Sequence, residues 1–222
     1  VPVFAMNSRI TWFRPGQDKT APWLAYPMTH MQEAFAKFGH GLGVGDLNKD
    51  GRNDVLVTNG WWEGPVDRTR PDWGFHQAKL GPDSADMIVY DVNADGKNDV
   101  ISSSAHDYGI WWFEQGSDNT FTQHEIDKSV SETHALILAD LNNDSLPDLV
   151  TGKRYFAHGE HDPGALEPSE LFWCELQRPE PGKVTYTKHV IDSDSGVGTQ
   201  FAVLDFDDDG LLDVVVSNKK GV

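Results

Sequence analysis

The chain has 222 residues, and 18 Lys and Arg against 35 Asp and Glu give it a formal net charge of −17. This balance argues against nucleic acid or an anionic membrane as the partner, because both require a positive protein surface. No apolar run reaches the ~18 residues of a membrane span, and a single cysteine, Cys174, excludes an internal disulfide framework. The composition therefore predicts a globular protein that attracts cations.

Four related segments recur along the chain. Each places an acidic turn between two apolar runs, which predicts a β-hairpin. An aromatic strand follows each of the first three hairpins, and then a strand in which an aromatic residue precedes a histidine by three positions. Radially repeated sheets of four antiparallel strands are the blades of a β-propeller. The four segments are VGDLNKDGRNDVLVT (44–58), VYDVNADGKNDVISS (89–103), LADLNNDSLPDLVTG (138–152) and VLDFDDDGLLDVVVS (203–217).

The repeat predicts an all-β chain with one propeller region over residues 1–222. The N-terminal stretches ITWFRPG (10–16) and WLAYP (23–27) match only strands three and four of a blade, and the last of the four segments provides only strands one and two. The half blades either close a small ring or leave edges that meet further blades or a second copy. The predicted units are a half blade at 1–39, blades at about 40–84, 85–132 and 133–197, and a half blade at 198–222.

The acidic turns share the spacing D-x-[DN]-x-D-[GS]-x-x-D, which points alternate side-chain oxygens toward one hard cation. The glycine allows the sharp turn that brings both arms of the loop together. The spacing predicts up to four structural Ca²⁺ ions. The third site is expected to be the weakest, because Ser145 replaces the glycine and Pro147 follows. The predicted ligands are Asp46, Asn48, Asp50 and Asp54; Asp91, Asn93, Asp95 and Asp99; Asp140, Asn142, Asp144 and Asp148; and Asp205, Asp207, Asp209 and Asp213.

With these loops, the chain resembles the FG-GAP/VCBS repeat propellers over essentially its whole length. That family includes the Ca²⁺-loop propellers of integrin α subunits and of many secreted bacterial proteins. The resemblance implies a secreted, extracellular or periplasmic location. It does not by itself choose a function, because the fold hosts binders, adhesins and enzymes.

A second set of residues is predicted on the opposite face, about 17 Å from the acidic turns for strands of about five residues. The connections between strands two and three lie there and lengthen from blade to blade, up to TGKRYFAHGEHDPGALEPSELFW (151–173). Loops on a rigid scaffold are where sites are built. The outer-strand histidines His76, His124 and His189 are instead interpreted as structural. The histidines predicted on this loop face are His40, His106, His134, His158 and His161.

The loop-face segments THALILADLNNDSLPDLVTGKRYFAHGEHDPG, AHDYGIWWFEQ and SNKKGV resemble the propeller of aldos-2-ulose dehydratase-like sugar lyases. That resemblance implies β-elimination from a keto-sugar, with a base, a polarising cation or transition metal, and cations that hold the oxyanion. The implied catalytic residues are His106 or His134 as the base and Lys153, Arg154 and Lys219 at the oxyanion. His40, His158 and His161 are candidate metal ligands or acids, and they join Asp107, Tyr108 and Lys220 as candidate substrate-binding residues.

Two other functions fit the same sequence. The loop face could be a non-catalytic adhesion surface for a glycan or a protein, with its cations meeting acidic groups. The chain could also be a repeat scaffold that assembles through its unpaired blade edges. An ion held by the loop-face histidines would favour the enzyme, whereas an empty polar basin would favour binding.

Overall fold

A computed structural model describes residues 10–29, 41–82 and 84–219. The chain forms β-strands throughout this part, with one short 3₁₀ turn at Ser117–Asn119. The strands are β1 (Thr11–Arg14), β2 (Leu24–Pro27), β3 (Leu42–Gly45), β4 (Asp54–Val57), β5 (Gly60–Glu63), β6 (Gly74–Gln77), β7 (Asp86–Tyr90), β8 (Asp99–Ser103), β9 (Tyr108–Gln115), β10 (Phe121–Ser131), β11 (Leu136–Ala139), β12 (Asp148–Gly152), β13 (Ala157–Glu160), β14 (Leu171–Glu180), β15 (Lys183–Asp192), β16 (Ala202–Leu204) and β17 (Asp213–Val215).

These strands build a partial β-propeller, so the predicted fold class is confirmed. The first full blade has the order β3-β4-β5-β6, the second β7-β8-β9-β10 and the third β11-β12-β14-β15, each antiparallel within itself. The pairs β1-β2 and β16-β17 form the half blades. Among the described residues, no helix has the length and apolar character to cross a membrane.

The first strand of each full blade lies beside the first strand of the next. β3 pairs in parallel with β7 through Leu42↔Asp86 and Gly43↔Met87. The carboxylate of Asp86 accepts a hydrogen bond from the amide of Leu136 at 3.2 Å, which joins β7 to β11. These inner contacts orient all three blades alike, so their acidic turns share one side and their strand-two-to-three connections share the other.

The hydrophobic core lies between neighbouring blades. Trp62 packs with Ile10 and Met28 between the first half blade and the first full blade. Further clusters fill the space between the first and second blades and between the second and third. The first and second full blades have an apolar cluster on each side, so adjacent residues of their inner strands are buried together. This explains why β4 and β8 are buried throughout rather than alternating, and β12 is buried to the same extent.

The outer-strand histidines form a repeated contact on the rim of the three full blades. The His124 ring stacks on Trp112 with a centroid distance of 4.3 Å, and its Nε2 lies 2.8 Å from a carboxylate oxygen of Glu114. This arrangement repeats in every full blade and secures strand four to strand three. The equivalent sets are Trp61, His76 and Glu63, and Trp173, His189 and Glu175.

The single cysteine lies inside the third blade. Cys174 is 1% exposed and belongs to the core between the second and third blades. Burial raises the pKa of its thiol to about 12. It therefore contributes to packing as a small apolar residue.

Candidate functional site

The acidic turns fold through hydrogen bonds from the loop backbone to the first aspartate. In the first turn, one Asp46 oxygen accepts from the amide of Asp50 at 3.0 Å, and the other accepts from the amide of Gly51 at 2.8 Å. Asn48 Oδ1 also accepts from the amide of Asp50, at 3.1 Å. In the other three turns, the carboxylates of Asp91, Asp140 and Asp205 accept the equivalent bonds from backbone amides. The shared bonds curl every loop so that its alternate side chains meet on the inside.

The third turn has the same backbone despite its serine. Ser145 adopts a φ of +72°, in the left-handed region where the equivalent Gly51 has +84° and Gly210 has +89°. Its amide still donates to Asp140, at 2.9 Å. A side chain in this region costs about 1 kcal/mol or more. The predicted weakness of the third site depends on this backbone strain at Ser145. The ranking of the four turns by Ca²⁺ affinity stays a prediction.

The donor set of the turns fits a hard cation. In the fourth turn, Asp205, Asp207 and Asp209 each place a carboxylate oxygen within 4.8 Å of the others. Carboxylate and amide oxygens are the ligands Ca²⁺ prefers, and no sulfur or nitrogen donor is interposed in the repeated pattern. The first, third and fifth positions of each turn are therefore the residues that would hold Ca²⁺.

The closing aspartate of each full-blade turn has a further role that sequence reasoning missed. Asp54 is buried, and its two oxygens accept from the amides of Leu47 at 2.9 Å and Gly64 at 2.8 Å. Asp99 and Asp148 repeat this contact, so the closing carboxylate joins the turn to the end of strand three. Burial raises the pKa of all three groups, that of Asp99 to about 6. Whether these aspartates also bind the cation stays a prediction.

The opposite face is built from connections that are hydrogen-bonded to one another. The relevant segments are 104–107 in the second blade, 132–135 between the second and third blades, and 153–170 in the third blade. The amide of Thr133 donates to the Ser104 carbonyl at 3.0 Å, and the amide of Arg154 donates to the Glu132 carbonyl at 3.1 Å. The histidines of three separate connections are thereby held together.

Two histidines and one carboxylate meet where these connections join. His106 Nδ1 lies 3.2 Å from His158 Nδ1, and Asp162 Oδ2 lies 3.3 Å and 2.7 Å from these two nitrogens. Asp162 is 18% exposed, and although burial opposes the shift, hydrogen bonds from His158 and His106 lower the pKa of its carboxyl group. Below, these three residues are called the His-Asp cluster. They bring the HGEHD segment of the third blade onto the second blade's AHD segment.

His134 lies beside the cluster but is buried and engaged at both ring nitrogens. Its ring centroid is 6.0 Å from those of His106 and His158. Its Nδ1 lies 3.1 Å from the Glu132 carbonyl, and its Nε2 lies 3.1 Å from Arg154 Nη1. Since the guanidinium can only donate, Nε2 must accept and the ring is neutral. Burial, followed by the Arg154 charge, lowers the pKa of His134 to about 4. Because its Nε2 already accepts a hydrogen bond from Arg154, His134 does not suit the role of base suggested by the sequence.

Lys153 lies beneath the loop face rather than on it. Its side chain is fully buried, with Nζ 3.3 Å from Glu132 Oε2 and 2.9 Å from Ser131 Oγ, and it also donates to the Gly164 carbonyl. The predicted oxyanion role does not fit this position, because the charge is already compensated inside the protein. Because β12 is buried throughout, strand alternation gave no indication of which way Lys153 points.

Four further predicted residues lie away from the cluster or outside the described part of the chain. Lys219 donates to the carbonyls of Phe156 and Ala157 at 2.8 and 3.2 Å and so supports the long connection. His161 is exposed on that connection and is not part of the His-Asp cluster. His40 and Lys220 lie outside the described residues.

A cleft of about 770 Å³ opens beside the 104–107 connection, which also carries His106 of the cluster. Asp107 and Tyr108, two of the predicted substrate-binding residues, line it. Half-buried Trp111 and the exposed Lys79 and Lys128 complete its aromatic and basic walls. The Tyr108 hydroxyl donates to Glu167 at 2.7 Å, which fixes the tyrosine against the long connection. The two lysines place positive charge at this cleft on a strongly acidic protein.

No site role was predicted for Asp162, Glu132 or Trp111, although Asp162 lies in the long connection that was predicted to carry the site. Asp162 follows two histidines in HGEHD, and this proximity was the one local signal for it. Glu132 and Trp111 gave no such signal, because their roles depend on contacts with other blades or connections.

Fold and site together define a partial β-propeller with acidic turns on one face and connected loops on the other. Comparison with protein families gives the same picture. An FG-GAP-like repeat matches residues 91–151, and an FG-GAP repeat matches residues 38–66. The chain therefore carries FG-GAP repeats, which suggest a propeller-like binding or adhesion module. A search of curated proteins finds none that matches the chain.

Proposed function

We propose that this chain is a Ca²⁺-stabilised extracytoplasmic propeller that binds an acidic carbohydrate on its loop face. The observation that supports this proposal most directly is the cleft lined by Trp111, Tyr108, Lys79 and Lys128. Aromatic faces pack against the apolar faces of sugar rings, and lysines pair with carboxylates, so this combination suits a uronic-acid chain better than a neutral one. The extracytoplasmic location is part of the proposal because extracellular Ca²⁺ modules, with dissociation constants of about 10⁻⁴–10⁻³ M, are filled only where Ca²⁺ is abundant.

The test is calorimetric titration with oligogalacturonate and with a neutral cello-oligosaccharide, both in excess Ca²⁺. We expect binding of the acidic chain alone. The double variant Lys79→Gln/Lys128→Gln should bind it at least about tenfold more weakly, since a hydrogen bond to a charged group contributes about 1.5–3 kcal/mol. Lys19→Gln/Lys183→Gln removes the same charge from exposed positions outside the cleft and should bind like wild type. Equal loss in both double variants, or equal affinity for the neutral sugar, would contradict the proposal.

A sugar lyase is the second candidate, supported by His106, which directly precedes the cleft-lining Asp107 and belongs to the His-Asp cluster. A base would remove the proton next to the carbonyl of a keto-sugar, and the β-hydroxyl would leave as water. Incubation with such a sugar should then produce the ultraviolet absorption of a conjugated enone. Its formation by wild type and not by His106→Ala would support the lyase, and no enone would favour a binding module.

The half blades suggest a second copy of this chain as an additional partner. The half blade formed by β16 and β17 exposes Phe206 (70%) and Leu211 (56%), and the half blade formed by β1 and β2 exposes Trp23 (53%). One half blade provides strands one and two and the other provides strands three and four, so two copies could complete each other's blades. Light scattering after gel filtration should give a mass of twice 24.7 kDa or a larger multiple. A monomeric mass at high concentration would reject this assembly.

A further inference from the structure

The His-Asp cluster contains three donor atoms of the types that transition metals bind. Two imidazole nitrogens and one carboxylate oxygen come from two blades, at His106, His158 and Asp162. The two nitrogens face each other at 3.2 Å. Mixed nitrogen and oxygen donors distinguish the cluster from the all-oxygen acidic turns, which suit Ca²⁺.

The spacing of these atoms is that of ligands around one ion. Metal–ligand bonds of about 2.0–2.2 Å place neighbouring ligands about 2.9–3.5 Å apart in octahedral to tetrahedral geometry. The observed separations are 3.2, 3.3 and 2.7 Å. The shortest joins His158 to Asp162, where a hydrogen bond draws the pair together, so only a small opening is needed to admit a metal.

The cluster is held in place by contacts that fix the long connection. The buried Lys153 fixes the long connection through the Gly164 carbonyl, and Tyr108 fixes it through Glu167. Gly164 has a φ of +71°, and a Cβ there would lie 2.5 Å from Ser131 Oγ and 2.6 Å from the Tyr108 hydroxyl. This close approach requires glycine and brings His158 and Asp162 onto the second blade. Rigid support of this kind gives a metal site its geometry.

We propose that His106, His158 and Asp162 bind one divalent transition metal ion, with zinc as the best fit to the donor set. Three protein ligands leave a coordination position open to water or to an anionic oxygen, as in zinc sites that act on ligands rather than only stabilise a fold. Arg154 is hydrogen-bonded to His134, whose ring centroid is 6.0 Å from that of His158. This proposal goes beyond the carbohydrate cleft, since metal binding is measured without any sugar present.

The test is titration of the full chain with Zn²⁺ alone as the probe, in excess Ca²⁺ so that the acidic turns are already filled. We expect one zinc per chain in wild type. His106→Ala, His158→Ala and Asp162→Asn should each bind at least about 100-fold more weakly, because even outer-shell changes cost about 10–100-fold. Co²⁺ should give visible absorption bands in wild type that are absent from His158→Ala.

His124→Ala is the matched control, because His124 also contacts a carboxylate but has only that one partner of the required type, and it lies on the outer strand. It should bind zinc like wild type. Circular dichroism establishes that each variant is folded, and His106→Gln keeps a side chain of similar size if His106→Ala is unstable. The absence of zinc binding by Ca²⁺-loaded wild type would overturn the proposal, as would unchanged affinity in the His106 and His158 variants. Either result leaves the carbohydrate proposal to be decided by its own titration.

Discussion

The two ends of the blades differ in how they are constructed. At the acidic end, the described turns repeat the same backbone hydrogen bonds and the same left-handed positions. At the loop end, no two of the strand-two-to-three connections at 58–59, 104–107 and 153–170 have the same length. The repeated turns suit a scaffold, because each one closes its hairpin with the same backbone hydrogen bonds. The unequal connections meet each other across blades, and that is where chemically distinct groups come together.

The first way to test this comparison is to remove Ca²⁺ from the whole protein. If the acidic end stabilises the scaffold, excess EDTA should lower the melting temperature by more than about 10 °C, because each site filled at 100–1,000 times its dissociation constant contributes about 3–4 kcal/mol. Scanning calorimetry with and without EDTA measures this. Added Ca²⁺ should restore the original transition, and an identical melt in EDTA would refute the stabilising role.

The loop end should depend instead on its buried ion pair. Lys153→Met leaves the fully buried Glu132 carboxylate uncompensated, at a cost of about 3–5 kcal/mol. Denaturant unfolding in excess Ca²⁺ measures the loss. Lys153→Met/Glu132→Met removes both charges and should recover most of it. If the single variant is as stable as wild type, Lys153 does not hold the long connection in place.

Variants of two aspartates in one turn can distinguish a structural role from a metal-binding role. Asp99→Asn replaces an acceptor of two backbone amides, so it should lower stability by about 1–3 kcal/mol even in EDTA. Asp95→Asn in the same turn should matter only when Ca²⁺ is present. Chemical unfolding of both variants with and without EDTA compares them. Equal behaviour of the two variants in EDTA would show that the buried contact contributes nothing beyond the metal.

The smallest effect concerns the irregular third turn. Ser145→Gly should relieve the left-handed strain and stabilise the protein by about 1 kcal/mol, and it should raise Ca²⁺ affinity at that turn. The reverse change, Gly210→Ser in the fourth turn, should cost a similar amount. Thermal melts and Ca²⁺ titrations provide both numbers. A third turn that already binds Ca²⁺ more tightly than the others would contradict the predicted ranking.

The strands could be predicted because their determinants are local. In each repeat, two apolar runs flank an acidic turn, and the spacing of that turn alone specifies a hairpin. In the three full blades, the aromatic strand follows the hairpin. The His-Asp cluster could be predicted only in part, because His106 and Asp162 are neighbours in space but far apart in sequence. The burial of Lys153 depends on Glu132, which belongs to the preceding inter-blade connection. Topology could place the connections on one face, but which side chains pair there depends on contacts between segments that are distant in sequence.

Burial of the lone cysteine has a consequence for the redox behaviour of the chain. Disulfide exchange and oxidation proceed through the thiolate, and a thiol with a pKa of about 12 is almost entirely protonated at neutral pH. Cys174 is also shielded from other thiols by the core between two blades. The folded chain should therefore withstand oxidants such as oxidised glutathione without forming mixed disulfides. Reaction of this cysteine would instead report unfolding, which makes Cys174 a built-in probe of how often the third blade opens.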